Sequence, residues 1–195
     1  MNSEEFVEIM RSAEVTKLLS VRDPISRLVS AYINRFANGR YEVPSNASYS
    51  FMRKALKVEG KSLRWREPAQ VNFTQFLNLI LNEKRKNVAK MNYHWRPQSM
   101  TCDTCSLPYD HIIHLETMSD DLHYLIQKLG IHELKENLRV NSSHQKKINY
   151  EDYFREVPLD VTRQIVDLYR DDFALFGYDV PLFLRKLLNE SGVIA

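Results

Sequence analysis

Glycine is scarce in this chain, at 5 residues in 195. The sequence holds no G-x-G-x-x-G and no G-x-x-x-x-G-K-[ST], so the glycine-rich loops that cradle nucleotide phosphates are absent. An excess of one charge is missing too. The 27 basic residues are offset by 25 acidic ones, and a net charge of +2 argues against nucleic acid as a bulk partner. No apolar run approaches the ~18–20 residues needed to span a bilayer. The opening "MNSEEFVEIM" is acidic and amphipathic, and fits neither a signal peptide nor a transit peptide. Cysteine is limited to Cys102 and Cys105 in one C-x-x-C. In an oxidising lumen that spacing suits a short-range disulfide; in cytosol it suits redox or metal chemistry.

Zinc is the metal to test, because His111 and His114 follow the cysteines. The spacing C-x2-C-x5-H-x2-H is much shorter than that of a zinc finger. Three residues apart in a strand, the two histidines face opposite sides. The expectation is no metal. Four N-x-[ST] triplets, at Asn46, Asn72, Asn141 and Asn189, are candidate glycosylation acceptors and point toward a lumenal setting. Asn72 also sits where a helix needs a cap.

What is present is a chain that is 44% hydrophobic, long enough for one domain with a real core. The first residues read as a helix, with Asn2 as cap and Glu5 three residues on. "VTKLLSV", residues 15–21, reads as a buried strand. From Ile25 the apolar residues Leu28, Val29, Tyr32, Ile33 and Phe36 follow helical spacing, with Asp23 as cap and Pro24 in the first turn. Residues 38–70 are irregular and read as a surface insertion with one short helix, "FMRKALK". A clear helix follows Asn72, with Phe73, Phe76, Leu77, Ile80 and Leu81 on one face, ending in the solvated run "NEKRKN". Residues 91–108 read as a shaped loop. "YDHIIHLE" is a second strand, followed by a helix capped by Thr117 and Asp120 and stopped at Gly130. A last long helix runs from Pro158 to near Gly177. Two strand–turn–helix units predict an α/β domain with parallel strands.

Ligands of parallel sheets gather at the carboxyl ends of strands. Arg22 stands at such an end, and its planar fork of donors suits a phosphate. Ser30 lies on the following helix, opposite the apolar stripe and one turn from Ser26 and Arg27. An arginine and a serine so placed can hold one anion, helped by the helix dipole. The other reading is that Arg22 pairs with Asp23 or a neighbour and that Ser30 is a small polar residue under a crossing element.

"VRDPISRLVSAY" resembles the 3′-phosphate-binding motif of sulfotransferases that use 3′-phosphoadenosine-5′-phosphosulfate. "FTQFLNLIL", "YHWRPQSMTCDTCSLPYDHIIHLET" and "LYRDDFALFGYD", in that order, resemble the helix, His-Trp loop, paired cysteines, Tyr-Asp strand and C-terminal helix of the Golgi carbohydrate sulfotransferases. The similarity runs from about residue 15 to about residue 180. It implies a P-loop-like sulfotransferase fold, a parallel sheet flanked by helices. It also implies sulfuryl transfer from that donor to a sugar hydroxyl of a glycosaminoglycan or an N-acetylgalactosamine-containing chain. Arg22 and Ser30 match the residues that hold the donor's 3′-phosphate, with Arg27 a looser match. His94 is the candidate base and Trp95 a candidate surface for stacking on a sugar; alternatively both anchor their loop. The resemblance favours a Cys102–Cys105 disulfide. Lys146 and Lys147 are candidates for touching an acidic glycan or the donor.

Family members carry, upstream, a first strand, a Pro-Lys loop that grips the 5′-phosphosulfate, and a membrane anchor. Only about 14 residues precede the first strand here, and none forms Pro-Lys. The expectation is therefore one partial sulfotransferase domain over 1–195, without the first strand and the 5′-phosphosulfate loop. Golgi localisation and membrane contact would then depend on an anchor absent from this chain. The alternative is a catalytically inactive glycan- or nucleotide-binding relative.

Overall fold

The computed structural model describes residues 3–37, 46–62, 70–131 and 148–189. In chain order these form α1 (Ser3–Arg11), β1 (Leu18–Val21), α2 (Pro24–Tyr32), a π-helical turn (Ile33–Ala37), α3 (Asn46–Val58) and α4 (Phe73–Asn87). After a short 3-10 turn come α5 (Gln98–Thr101), β2 (His111–His114), a second 3-10 turn (Leu115–Thr117) and α6 (Met118–Leu129). The remainder is α7 (Tyr150–Phe154), α8 (Leu159–Leu168), α9 (Arg170–Leu175) and α10 (Leu182–Asn189). The architecture is α/β, mostly helical, with a parallel pair of strands. Residues 1–23 and 98–148 make one compact unit; 24–97 and 149–195 make another.

In the first unit β1 and β2 run parallel, with Leu18 opposite His111 and Val21 opposite His114. β1 is shorter than the seven-residue stretch that reads as a buried strand. Leu19 and Val21 are buried, while Leu18 is 43% exposed and Ser20 is exposed. The alternation is that of a strand with one covered face. The pair is locked at its start by a reciprocal exchange. The Lys17 amide donates to the Asp110 carboxylate at 2.7 Å and the Asp110 amide to the Lys17 carbonyl at 2.9 Å. The Lys17 ammonium adds an ion pair at 3.4 Å.

The Lys17 backbone bond, more than the ammonium, holds the Asp110 carboxyl below its ordinary pKa. A carboxyl depressed by folding stabilises above its unfolded pKa and loses that contribution as pH falls through the folded value. Asp110→Asn is expected to flatten the acid limb of a Tm-against-pH curve. Superimposable limbs for the two proteins would exclude Asp110 as a contributor.

β2 leads through the 3-10 turn into α6, but Thr117 does not cap it. Its hydroxyl donates to the Asp121 carboxylate at 3.0 Å, and that carboxylate also accepts the His114 amide at 2.9 Å. Asp121, one turn inside the helix, closes the corner instead. Gly130 ends α6 at φ 69°, and the Ile131 amide bonds back to Ile126.

The second unit is built around α4. Asn72 caps it in a reciprocal box: its side chain accepts from the Gln75 amide at 2.8 Å, and the Gln75 side chain accepts from the Asn72 amide at 3.0 Å. Phe73, Phe76, Leu77, Ile80 and Leu81 are all buried, as their spacing predicts. Tyr32, Phe36, Phe73, Phe76 and Trp95 join in a ring cluster with centroid separations of 5.1–6.1 Å.

α3 lies within the span that reads as a surface insertion. It is a 13-residue helix, longer than "FMRKALK", and buries Tyr49, Met52, Ala55 and Leu56 while packing on α4. The helix expected from Pro158 to Gly177 is broken at Tyr169 into α8 and α9. The Tyr169 amide is shared between Ile165 and Val166, and its hydroxyl reaches the Trp95 carbonyl. Among the described residues no helix is long and apolar enough to cross a membrane.

Candidate functional site

A dense set of directed bonds in the second unit converges on residues 92–96, "NYHWR". The Trp95 and Arg96 amides both donate to the Asn92 carbonyl, at 3.1 and 2.8 Å, and the His94 amide donates to the Asn92 side chain at 2.9 Å. Glu83 of α4 takes the Trp95 indole N–H at 2.8 Å and the Asn92 amide at 3.2 Å through one oxygen. Trp95 is fully buried, edge-on to Phe51 at 5.3 Å and to Phe76 at 5.4 Å. Of the two roles open to Trp95, burial favours the loop anchor over the sugar-stacking surface: no face of the indole reaches solvent. Trp95 anchors the loop, and its carbonyl accepts the fully buried Tyr169 hydroxyl at 2.5 Å. Burial drives that phenol well above the ordinary tyrosine range, which keeps it a donor.

Arg27 of α2 is bound to the same loop. Its Nη1 donates to the Arg96 carbonyl at 2.9 Å and its Nη2 to the Tyr93 carbonyl at 2.7 Å. Both arms of the guanidinium are thus spent on backbone either side of His94, which weakens its claim on a donor phosphate. Ser30, one turn on, accepts a long bond from the Asn34 side chain at 3.4 Å.

His94 is half-buried, held against the exposed ring of Tyr93 with centroids 4.1 Å apart. Its Nε2 meets Arg35 Nη2 at 2.5 Å. A guanidinium only donates, so Nε2 is the acceptor and the neutral ring carries its proton on Nδ1. Burial first, then the charges of Arg35 and Arg27, lower the His94 pKa and keep the ring neutral. The neutral imidazole keeps a lone pair on Nε2 that could accept a proton, and Arg35 engages it here.

In the first unit, Arg22 directly follows the last residue of β1. Its amide donates to the Gln98 side-chain oxygen at 3.1 Å, and the Gln98 amide group donates to the Ser20 carbonyl at 3.4 Å. Gln98, itself buried, thereby clamps the carboxyl end of β1. The next amide, of Asp23, donates to Glu116 at 3.0 Å.

Cys102 and Cys105 are thiols, on the turn that follows α5. The implied disulfide is not formed in this structure. Among the described residues no group of three or more His, Cys, Asp or Glu is placed to hold a metal. Asn46 opens α3, Asn72 is the α4 cap and Asn189 ends α10; Asn2, Asn141, Lys146 and Lys147 lie outside the described residues.

Tyr93, Arg35, Glu83 and Gln98 escape a reading of the sequence alone. Tyr93 carries the clearest signal, as the first ring of a Tyr-His-Trp triplet. Glu83 lies in what looks like a solvated charge run, and nothing local pairs it with an indole 12 residues on.

A model described as "Sulfotransferase family" matches residues 1–179. The chain belongs to the sulfotransferase family. Among curated relatives, carbohydrate sulfotransferase 12 of Mus musculus is 30% identical over 175 residues, covering 85% of this chain and 41% of that protein. Carbohydrate sulfotransferase 11 of Mus musculus is 27% identical over 173 residues, covering 87% and 48%. Carbohydrate sulfotransferase 9 of Homo sapiens is 29% identical over 175 residues, covering 85% and 38%. The chain spans less than half the length of these sulfotransferases. No solved structure matches it significantly.

Proposed function

We propose that this sulfotransferase-family chain acts in carbohydrate O-sulfation, moving a sulfuryl group from 3′-phosphoadenosine-5′-phosphosulfate to a hydroxyl of a glycosaminoglycan or related glycan. The observation that carries the reading is the family match over residues 1–179. In the reaction the acceptor oxygen bonds to sulfur as the bridging bond to the 5′-phosphate breaks. The hydroxyl proton passes to His94 Nε2, and adenosine 3′,5′-bisphosphate leaves. The neutral His94 ring, next in sequence to the anchored Trp95 and bonded to Arg35, supports the role of base.

Arg22 and Ser30 are proposed to hold the donor's 3′-phosphate, on the strength of "VRDPISRLVSAY". The reading carries with it a Golgi-lumenal setting, where Cys102 and Cys105 would close a disulfide and the N-x-[ST] asparagines would accept glycans. A second reading, a glycan-binding relative that does not catalyse, is favoured by one observation: Arg35 occupies the nitrogen the base needs.

Two measurements separate these. Transfer of labelled sulfate from the donor to a desulfated glycosaminoglycan supports the first reading, and binding of the glycan without transfer supports the second. Independently of turnover, Arg22→Ala is expected to weaken adenosine 3′,5′-bisphosphate binding by roughly ten- to a hundred-fold, since a charge-assisted bond to phosphate is lost. Calorimetry showing unchanged affinity would remove Arg22 from the phosphate site.

A further inference from the structure

Arg35 is a half-buried arginine whose bonding partner among the described residues is the uncharged ring of His94. No carboxylate among the described residues lies within ion-pair distance of it. Arginine normally meets a carboxylate, phosphate or sulfate through two parallel bonds; among the described residues a single bond to an imidazole leaves most of that fork unused. Arg27 beside it is committed to two backbone carbonyls, so the local positive charge stays uncompensated by that neighbour. Arg35 sits in the π-helical turn Ile33–Ala37, an interruption that helices often carry at functional sites. Tyr93, 61% exposed and packed on the His94 ring, offers an aromatic face beside it.

We propose that Arg35 recognises an acidic group, a carboxylate or a sulfate ester, on the glycan acceptor, and that engaging it draws the guanidinium off His94 and frees Nε2 for the acceptor hydroxyl. Arg35 is then the specificity-determining residue, with Tyr93 stacking on a sugar ring. This rests on the carbohydrate-sulfation reading above. The bond that masks the base is then the one an anion displaces. An anion outcompetes a neutral ring for a guanidinium because it adds ion-pair attraction and can accept two parallel bonds where the ring nitrogen accepts one.

The test uses the 195-residue chain and three probes: a hexasaccharide alternating hexosamine with glucuronate, its carboxyl-reduced counterpart, and adenosine 3′,5′-bisphosphate. The chain is expected to bind the acidic hexasaccharide about ten-fold more tightly than the reduced one. Arg35→Ala and the size-conserving Arg35→Gln should both abolish that preference while leaving adenosine 3′,5′-bisphosphate affinity unchanged. On adding the acidic hexasaccharide the imidazole 15N resonances of His94 should shift, and in Arg35→Gln they should not respond.

A preference that survives both substitutions overturns the proposal. So does a loss confined to the nucleotide, which would make Arg35 a donor residue. A chain that binds the acidic glycan through Arg35 yet transfers no sulfate keeps this inference and overturns catalysis. A chain that transfers sulfate with no dependence on Arg35 does the reverse.

Discussion

Trp95→Ala is expected to cost about 3–5 kcal/mol of stability, the range for deleting a fully buried aromatic side chain. Three losses add. The indole is fully buried, so its removal opens a cavity between Phe51 and Phe76. Glu83 loses the indole N–H and keeps only the weaker 3.2 Å bond from Asn92. The backbone that presents His94 then loses its anchor one residue away. For a chain of this size the change corresponds to a fall in Tm of roughly 10 °C. Trp95→Phe keeps most of the packing and gives up the bond to Glu83, so it should fall between wild type and alanine. Were alanine to melt within about 1 °C of wild type, the indole would not be the anchor described above.

His94→Ala is expected to lower sulfate transfer by about 10²–10⁴-fold, the usual contribution of a positioned general base. The loss should appear in kcat, with the KM for the donor little changed, because the proposed role puts His94 on the acceptor proton. The pH profile gives a second readout. A base works deprotonated, and burial together with Arg35 and Arg27 lowers the His94 pKa. The acid limb of kcat/KM, which reports the free enzyme, should therefore lie below the ordinary histidine value of about 6.5. A limb at or above that value, or an alanine variant as active as wild type, would assign proton transfer to another group.

Much of the helical framework is legible in the sequence because its signals are local. The stripe of Phe73, Phe76, Leu77, Ile80 and Leu81 and the cap at Asn72 lie within ten residues, and α4 follows from them. The same holds for Ile25, Leu28 and Val29 in α2, and for Gly130 at the end of α6. What escapes is set by distant partners. The apolar rhythm runs unbroken through Tyr169, so nothing in it announces the break that accompanies the bond to Trp95. α10 buries only Leu184 and Leu188, too thin a stripe to stand out after Pro181. At the site, His94 is legible as a titratable group in a shaped loop, and Arg22 as an arginine at a strand end. The choice between the two roles open to Trp95 is not, because an exposed aromatic and a buried one have the same letter, and neither is the role of Arg27. Whether an arginine's fork is spent on carbonyls likewise depends on residues nearly seventy positions away.

The exchange between Lys17 and Asp110 joins residues 93 positions apart. Closing so long a loop is entropically costly, yet the cost grows only with the logarithm of length, about 0.6 kcal/mol for each doubling. Adding or removing ten residues between them changes it by a small fraction of that. The strand pair is therefore almost indifferent to how much chain it encloses, and the intervening segments can lengthen or shorten among relatives without loosening the β1–β2 register.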